Sequence, residues 1–346
     1  MKTPGSTKLL TICCWIFALA VLIAPGAACA ATWQATVGGQ RADEGIQALA
    51  FLPNGLWIHA GDSVTWTFPT PEIHTVTFLQ QSPTFQQVRP RRPGVPGGGC
   101  PGTTPDGSNF DGSACVTSQD DHLVNGGTYT VMFPTPGNFK LVCLAHNNMT
   151  GAVHVLAGSE SLPHDQAFYN DQAQKRETEL LSDGAELEGL PTAMAEQSSG
   201  DAVSAGIGEI VATGDGSDSV LVARFRRESI VVRVGETVEW TNLDPVTPHT
   251  VTFGFAAMDP NPPQPPAPPG AVTADTDGAL HAKLMSPTDN VHSGFLVAAL
   301  QDRAGLAQSP LGVTRFRVTF TTPGTFNYRC VLHDVLGMVG RVIVHR

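Results

Sequence analysis

An internal duplication limits how this chain can fold more than any other feature of it. Leu56 to Phe78 reads LWIHAGDSVTWTFPTPEIHTVTF, and Ile230 to Phe253 reads IVVRVGETVEWTNLDPVTPHTVTF. Gly61 aligns with Gly235, Trp66 aligns with Trp240, and the run HTVTF begins at both His74 and His249. Further on, YTVMFPTPGNFKLVCLAH, ending at His146, aligns with FRVTFTTPGTFNYRCVLH, ending at His333. A turn, a tryptophan and a His/Cys/His set recurring in one order mean two copies of one unit. Each copy needs its own core, and 346 residues with 41% hydrophobic positions suffice for two domains.

Within each copy, apolar and polar residues alternate, as in SVTWTF and TFNYRC. That is the period of half-buried strands. Pro136-Gly137 and Pro323-Gly324 punctuate the strands as turns. With Gly 36, Pro 27 and only 7% aromatics, the composition favours many turns and short strands. The predicted class is all-β, two tandem Greek-key β-sandwiches, each of roughly seven or eight strands. Residues 31–157 form the first expected domain and 205–346 the second. Between them, 158–204 reads as an acidic linker, with ten acidic residues from Glu160 to Asp201 against Lys175 and Arg176. DQAQKRETELL within it suits one exposed helix. Each copy also carries a Pro/Gly-rich insertion, RPRRPGVPGG in the first and PNPPQPPAPPG in the second, expected to be ordered by its ends alone.

Residues 1–30 stand apart. Lys2 and Lys8 precede the apolar run LLTICCWIFALAVLIA, and small residues follow as far as Ala28-Cys29-Ala30. This is the three-part pattern of a secretory signal, so the chain is expected to be exported, to the periplasm or the outside, with cleavage after Ala30. No other stretch could span a bilayer, so no transmembrane anchor is expected after cleavage. Net charge −11 argues against a nucleic-acid partner. Cleavage leaves Cys100, Cys115, Cys143 and Cys330 in an oxidising compartment. Cys100 and Cys115 bracket a Gly/Pro/Asp-rich stretch that a short disulfide would pin.

Cys143 and Cys330 occupy matching contexts. The first constellation is His74, Cys143, His146 and Met149, and the second is His249, Cys330, His333 and Met338. Two imidazoles, a thiolate and a thioether suit copper cycling between two oxidation states. Zinc is the rival ion, but structural zinc sites seldom use Met.

These motifs resemble the cupredoxin family, the plastocyanin, pseudoazurin and amicyanin type of blue copper protein. CVLHDVLGM has the spacing of plastocyanin, so the resemblance implies His249, Cys330, His333 and Met338 as ligands. The shorter CLAHNNM is similar to amicyanin and implies His74, Cys143, His146 and Met149. The shorter loop departs from the other copy and bears on whether Met149 is axial. The resemblance further implies that His146 and His333 expose an imidazole edge to partners while His74 and His249 lie deeper. The expected function is a carrier of single electrons between a redox protein donor and acceptor, with one mononuclear type 1 copper, Cu(I)/Cu(II), per domain. Copper scavenging, storage or delivery is the alternative. A cuproenzyme with an interdomain site would have to draw on the remaining histidines, His59, His122, His154, His164, His281, His292 and His345. Multicopper oxidases need His-x-His pairs, which do not occur in this chain. Nitrite reductases place a His beside the copper Cys, where this chain has Val142 and Arg329. No enzyme activity is therefore expected.

Overall fold

The computed structural model describes residues 30–81, 100, 102–118, 124–146, 148–190, 201–254, 259–260, 263–264, 272–298 and 313–346. The expected signal segment up to Cys29, His122, the first Pro-rich insertion and most of the second lie outside these residues. In the first copy, β1 (Thr32–Gln40), β2 (Ile46–Leu52), β3 (Gly55–His59), β4 (Ser63–Phe68) and β5 (Thr77–Phe78) come first. They are followed by β6 (Ser108–Asn109), β7 (Val116–Thr117), β8 (Gly127–Met132), β9 (Gly137–Val142) and β10 (Thr150–Leu156). One helix, α1 (Gln166–Gly189), leads to the second copy. That copy opens with β11 (Asp201–Ala212), β12 (Ser217–Arg226), β13 (Ser229–Arg233), β14 (Thr237–Leu243) and β15 (Thr252–Phe253). Short β16 (Asp259–Pro260), β17 (Pro263–Gln264) and β18 (Thr273–Ala274) precede β19 (Leu280–Leu284) and β20 (Val291–His292). The chain ends on β21 (Arg315–Phe320), β22 (Gly324–Arg329) and β23 (Val339–His345).

The sequence repeat is a structural repeat. In the first copy β2-β1-β4-β8-β6 makes one layer and β3-β10-β9-β5-β7 the other; in the second, β12-β11-β14-β21-β19-β18 faces β13-β23-β22-β15-β20. β1 runs parallel to β4 and β3 parallel to β10, as β11 does to β14 and β13 to β23. Such pairings need crossovers between the layers of a sandwich, as expected of the Greek key. Alternation fills the space between layers: β4 buries Val64, Trp66 and Phe68 while Ser63, Thr65 and Thr67 stay partly exposed. Val238 and Trp240 repeat this on β14. Cys100 and Cys115 are disulfide-bonded, as the spacing suggested.

The two sandwiches are not tethered side by side. β2 pairs antiparallel with β12, Ala48 opposite Val220 and Gln47 opposite Leu221, so equivalent strands of the two copies join one continuous sheet. All seven residues of β2 are buried. Leu221, Ala223, Val246 and Leu336 of the second copy pack into the core of the first.

The interval 158–204 differs from the expected linker. Its last four residues already belong to β11, and residues 166–189 form a helix that lies across the joint between copies. Asp165 caps it by accepting from the Phe168 amide at 2.9 Å. Tyr169, Leu180 and Gly184 face inward, at spacings of eleven and four residues that share one helical face. Leu180 packs with Ala48, Ala50 and Leu52 of β2. Gly184 sits where a Cβ would meet Ile46 of one copy at under hydrogen-bond distance and Val220 of the other at 2.8 Å, so only glycine lets the helix approach. Arg176 reaches the fully buried Asp218 of β12 at 2.7 Å, and Arg41 of the first copy reaches Glu188 at 2.6 Å. Asp171, Glu179 and Glu186 lie on the exposed face, and the inner stripe is short of large apolar residues, which is why the segment reads as solvated.

Truncating a fully buried leucine removes its contacts and leaves a cavity. Leu180→Ala is therefore expected to lower the unfolding free energy by about 2–5 kcal/mol in urea titrations. A change within error of zero would show that the helix does not hold the joint.

Candidate metal centres

Each candidate centre is assembled by three strand ends. β9 and β22 stop one residue before Cys143 and Cys330, and β10 and β23 begin one residue after Met149 and Met338. His74 and His249 stand three residues before the starts of β5 and β15. The Cys143 amide donates to the Met149 carbonyl at 3.0 Å, and the Cys330 amide to that of Met338 at 3.1 Å, closing both loops alike. The loops reach this end point by different routes. In the second, a 3-10 turn over Asp334–Leu336 ends on Gly337 at φ 86°. In the first, Asn148 takes the same left-handed region at φ 61° without the extra turn. Both methionines are fully buried.

The donor atoms converge. In the first copy the Nδ1 atoms of His74 and His146 stand 3.1 Å apart, at 4.0 and 3.8 Å from Cys143 Sγ. In the second the Nδ1 atoms of His249 and His333 are 3.1 Å apart, at 3.9 and 3.4 Å from Cys330 Sγ. A trigonal ion with bonds of about 2 Å to nitrogen and about 2.3 Å to sulfur would separate such donors by about 3.5–3.7 Å. The triangles therefore have the size of a metal site, and the thiolate and two imidazoles suit copper. Among the described residues these are the only two such groups of His, Cys, Asp and Glu. Of the other described histidines, His59 bonds the Glu160 carbonyl, His154 stacks on Trp57, His164 stacks on Phe168 and His281 pairs with Asp275. His292 is buried on β20, where burial pushes its imidazole below the usual range.

The scaffold holds each sulfur before any ion arrives. The Thr75 amide points at Cys143 Sγ at 3.4 Å and the Thr250 amide at Cys330 Sγ at 3.3 Å. The hydroxyls of the same threonines accept from the amides of Leu144 and Val331, at 2.7 and 2.9 Å. Glycines admit the deeper histidines. Gly38 and Gly206 sit at register shifts in β1 and β11 with φ of 75° and 76°. A Cβ at Gly38 would fall 2.6 Å from His74 Nε2, and one at Gly206 would overlap the His249 ring. The duplicated stretches VGGQ, from Val37, and AGIG, from Ala205, contain this signal, visible only when the two copies are aligned on the first strand.

Two acidic residues complete the surroundings, and the spacing of ligands gave no hint of either. Asp244, fully buried, accepts from His249 Nε2 at 3.2 Å, which leaves the Nδ1 lone pair for a metal. Thr70 occupies the matching position of the first copy, and there the buried His74 Nε2 and Thr70 hydroxyl have no partner. Glu72 lies 3.2 Å from His146 Nε2 and 4.0 Å from His333 Nε2.

That contact overturns one expectation. The resemblance implied that His146 and His333 expose an edge, yet they are 4% and 2% exposed. The second copy covers the first copy's loop and is covered in return. Arg224 on β12 fastens this arrangement by donating to the Leu336 carbonyl of one loop and the Asp43 carbonyl of the other copy. His74 and His249 lie deep, at 1% and 0%.

Without metal, each site is a buried ion pair. Burial opposes ionisation of Cys143, but hydrogen bonds from His146 and His74 outweigh it and hold the thiol well below its ordinary 9.0. Burial likewise opposes charge on His146, but Cys143 and Glu72 raise it from 6.5 to about 10. Below pH 6.5 the unfolded pair binds two protons and the folded pair one, so stability rises with pH. Between 6.5 and 9.0 both states bind one and this contribution is level; from 9.0 to about 10 only the folded pair keeps a proton and stability falls. Ultraviolet thiolate absorbance of the metal-free chain is expected at pH 7; absorbance appearing only as the pH passes 9 would contradict the pairing. Asp244→Asn removes the negative charge beside His249 Nε2 and is expected to weaken metal retention in the second site about 10–100-fold, with the first site unchanged. Equal weakening of both sites, or of neither, in competition with a chelator would refute the role given to Asp244.

The family model for copper binding proteins of the plastocyanin/azurin family matches residues 211–345. Among solved structures, the chain is similar to the oxidized form of plastocyanin from Dryopteris crassirhizoma, with 23% identity over 42% of this chain and 99% of that one and a TM-score of 0.21. It is also similar to a pseudoazurin from Sinorhizobium meliltoi, with 16% identity over 44% of this chain and 98% of that one and a TM-score of 0.20. A Cu-containing nitrite reductase from Thermus scotoductus SA-01 aligns at 12% identity over 91% of this chain and 68% of that one, with a TM-score of 0.22. The residues matched by that family model, 211–345, carry His249, Cys330 and His333, the donor triangle of the second copy.

Proposed function

We propose that the chain is an exported blue copper protein with one mononuclear type 1 site in each copy, and that it carries single electrons between a redox protein donor and acceptor. The observation that carries this reading is the recurrence of one buried His/Cys/His triangle, closed by one backbone hydrogen bond to a buried methionine, in both halves. His74, Cys143 and His146 would hold the first ion, with Met149 beside them, and His249, Cys330 and His333 the second, with Met338 beside them. Bound copper supplies a one-electron couple, Cu(I)/Cu(II).

The residues themselves fix the geometry. Backbone amides on both sulfurs and a carboxylate on His249 keep the donors in place whether or not the ion's charge changes, which keeps the reorganisation on electron transfer small. Burial of all six donors excludes water and slows exchange, which favours a retained carrier ion over cargo for scavenging or delivery. Among the described residues, no helix is long and apolar enough to cross a membrane. Export rests on the N-terminal pattern of residues 1–30.

Copper-loaded protein is expected to hold two coppers per chain and to show the intense visible thiolate-to-copper absorption. Cys143→Ser and Cys330→Ser should each remove one copper and part of the colour. Full colour in both single variants would refute the ligand assignment.

A further inference from the structure

We infer that Glu72 joins the two metal centres into a single electron-transfer unit, its carboxylate forming the link between His146 of one centre and His333 of the other. The inference rests on the proposed function. Both rings turn Nδ1 toward their cysteine and their partner histidine, so Nε2 is the edge that faces away from the donor triangle. Those two outward edges meet the same side chain: Glu72 Oε1 at 3.2 Å from His146 Nε2, and Oε2 at 4.0 Å from His333 Nε2.

A buried carboxylate is unfavourable unless its oxygens find donors. Glu72 is 8% exposed, with Oε1 3.2 Å from His146 Nε2 and Oε2 4.0 Å from His333 Nε2, so one oxygen is close to the first ring and the other faces the second ring across a gap longer than a hydrogen bond. The path from one donor set to the other is therefore ring, carboxylate, ring. Val246 and Leu336 of the second copy close the core of the first, and Arg224 pins the Leu336 carbonyl, so the loop bearing His333 is held against this junction.

The duplication did not supply two such residues. Glu72 stands two places before His74, whereas Thr247 stands two places before His249. One carboxylate suffices, because it has an oxygen for each ring. In the step assigned to this unit, the reduced centre gives up one electron and the oxidised centre takes it. No bond forms or breaks, the Nε2 protons stay on their rings, and Glu72 remains a carboxylate throughout.

The test uses the full copper-loaded chain, oxidised and then pulse-reduced with less than one electron per molecule. The Cys143→Ser and Cys330→Ser variants first assign each thiolate-to-copper band to its site. In the wild type the electron should redistribute between the bands at a rate independent of protein concentration. At saturating copper Glu72→Ala is expected to hold two coppers, with the site of His146 bound more weakly, and to slow redistribution about tenfold or more. Glu72→Gln keeps the volume and one acceptor oxygen, and should fall between. In the Cu(I) state, the Nε2 proton resonances of His146 and His333 should both shift in Glu72→Gln, an effect a bystander carboxylate would not produce. Unchanged redistribution in both variants with two coppers retained overturns the inference, as does a rate proportional to protein concentration. Loss of one copper in both variants also overturns it, since Glu72 would then hold one site and not join two. A wild-type chain binding fewer than two coppers contradicts the proposed function itself.

Discussion

The pairing of β2 with β12 is the contact on which the rest of the arrangement depends. It joins equivalent strands of two copies edge to edge, so neither sandwich presents that edge to solvent and the copies share apolar interior. An unpaired edge strand would be open to other chains; here the partner strand is supplied within the chain. Helix α1 lies over the joint and ties both sides through Arg176 to Asp218 and Arg41 to Glu188. Strand pairing, the covering helix and the bonds of Arg224 bring the loop after β9 and the loop after β22 together. His146 and His333 then face one another across a single carboxylate instead of facing water.

Within each site the division of labour follows ordinary bonding preferences. Sulfur is held by backbone amides, which do not change with redox state, and the deeper histidine is admitted by a glycine in the left-handed region. The copies then diverge in a single neighbour of that histidine, Asp244 in one and Thr70 in the other. A carboxylate on Nε2 makes the imidazole a stronger donor and favours the more highly charged ion. Two sites of one origin thereby acquire unequal surroundings.

The duplication, the alternation in strands such as β4 and β14, and the two His/Cys/His sets were legible in the sequence, because each is a local pattern or a copy of one. The helix was less so. Its buried stripe consists of Tyr169, Leu180 and Gly184 among acidic neighbours, and glycine as the contact residue leaves no hydrophobic signal. The joint had a faint trace: IQALAFL in β2 is apolar at nearly every position, the pattern of a strand covered on both faces. Glu72 was not legible, since what it touches lies in the other copy, more than two hundred residues along the chain. The expectation that His146 and His333 are exposed came from resemblance to single-domain proteins. It failed for a physical reason: in a paired chain the second copy occupies the surface that a partner would use.

The most direct test of the account is anomalous diffraction at the copper edge from crystals of the copper-loaded chain. The account predicts two peaks, one inside the triangle of His74, Cys143 and His146 and one inside that of His249, Cys330 and His333, with the Glu72 carboxylate between them. A peak on the Nε2 side of His146 or His333, or a single peak per chain, would contradict it.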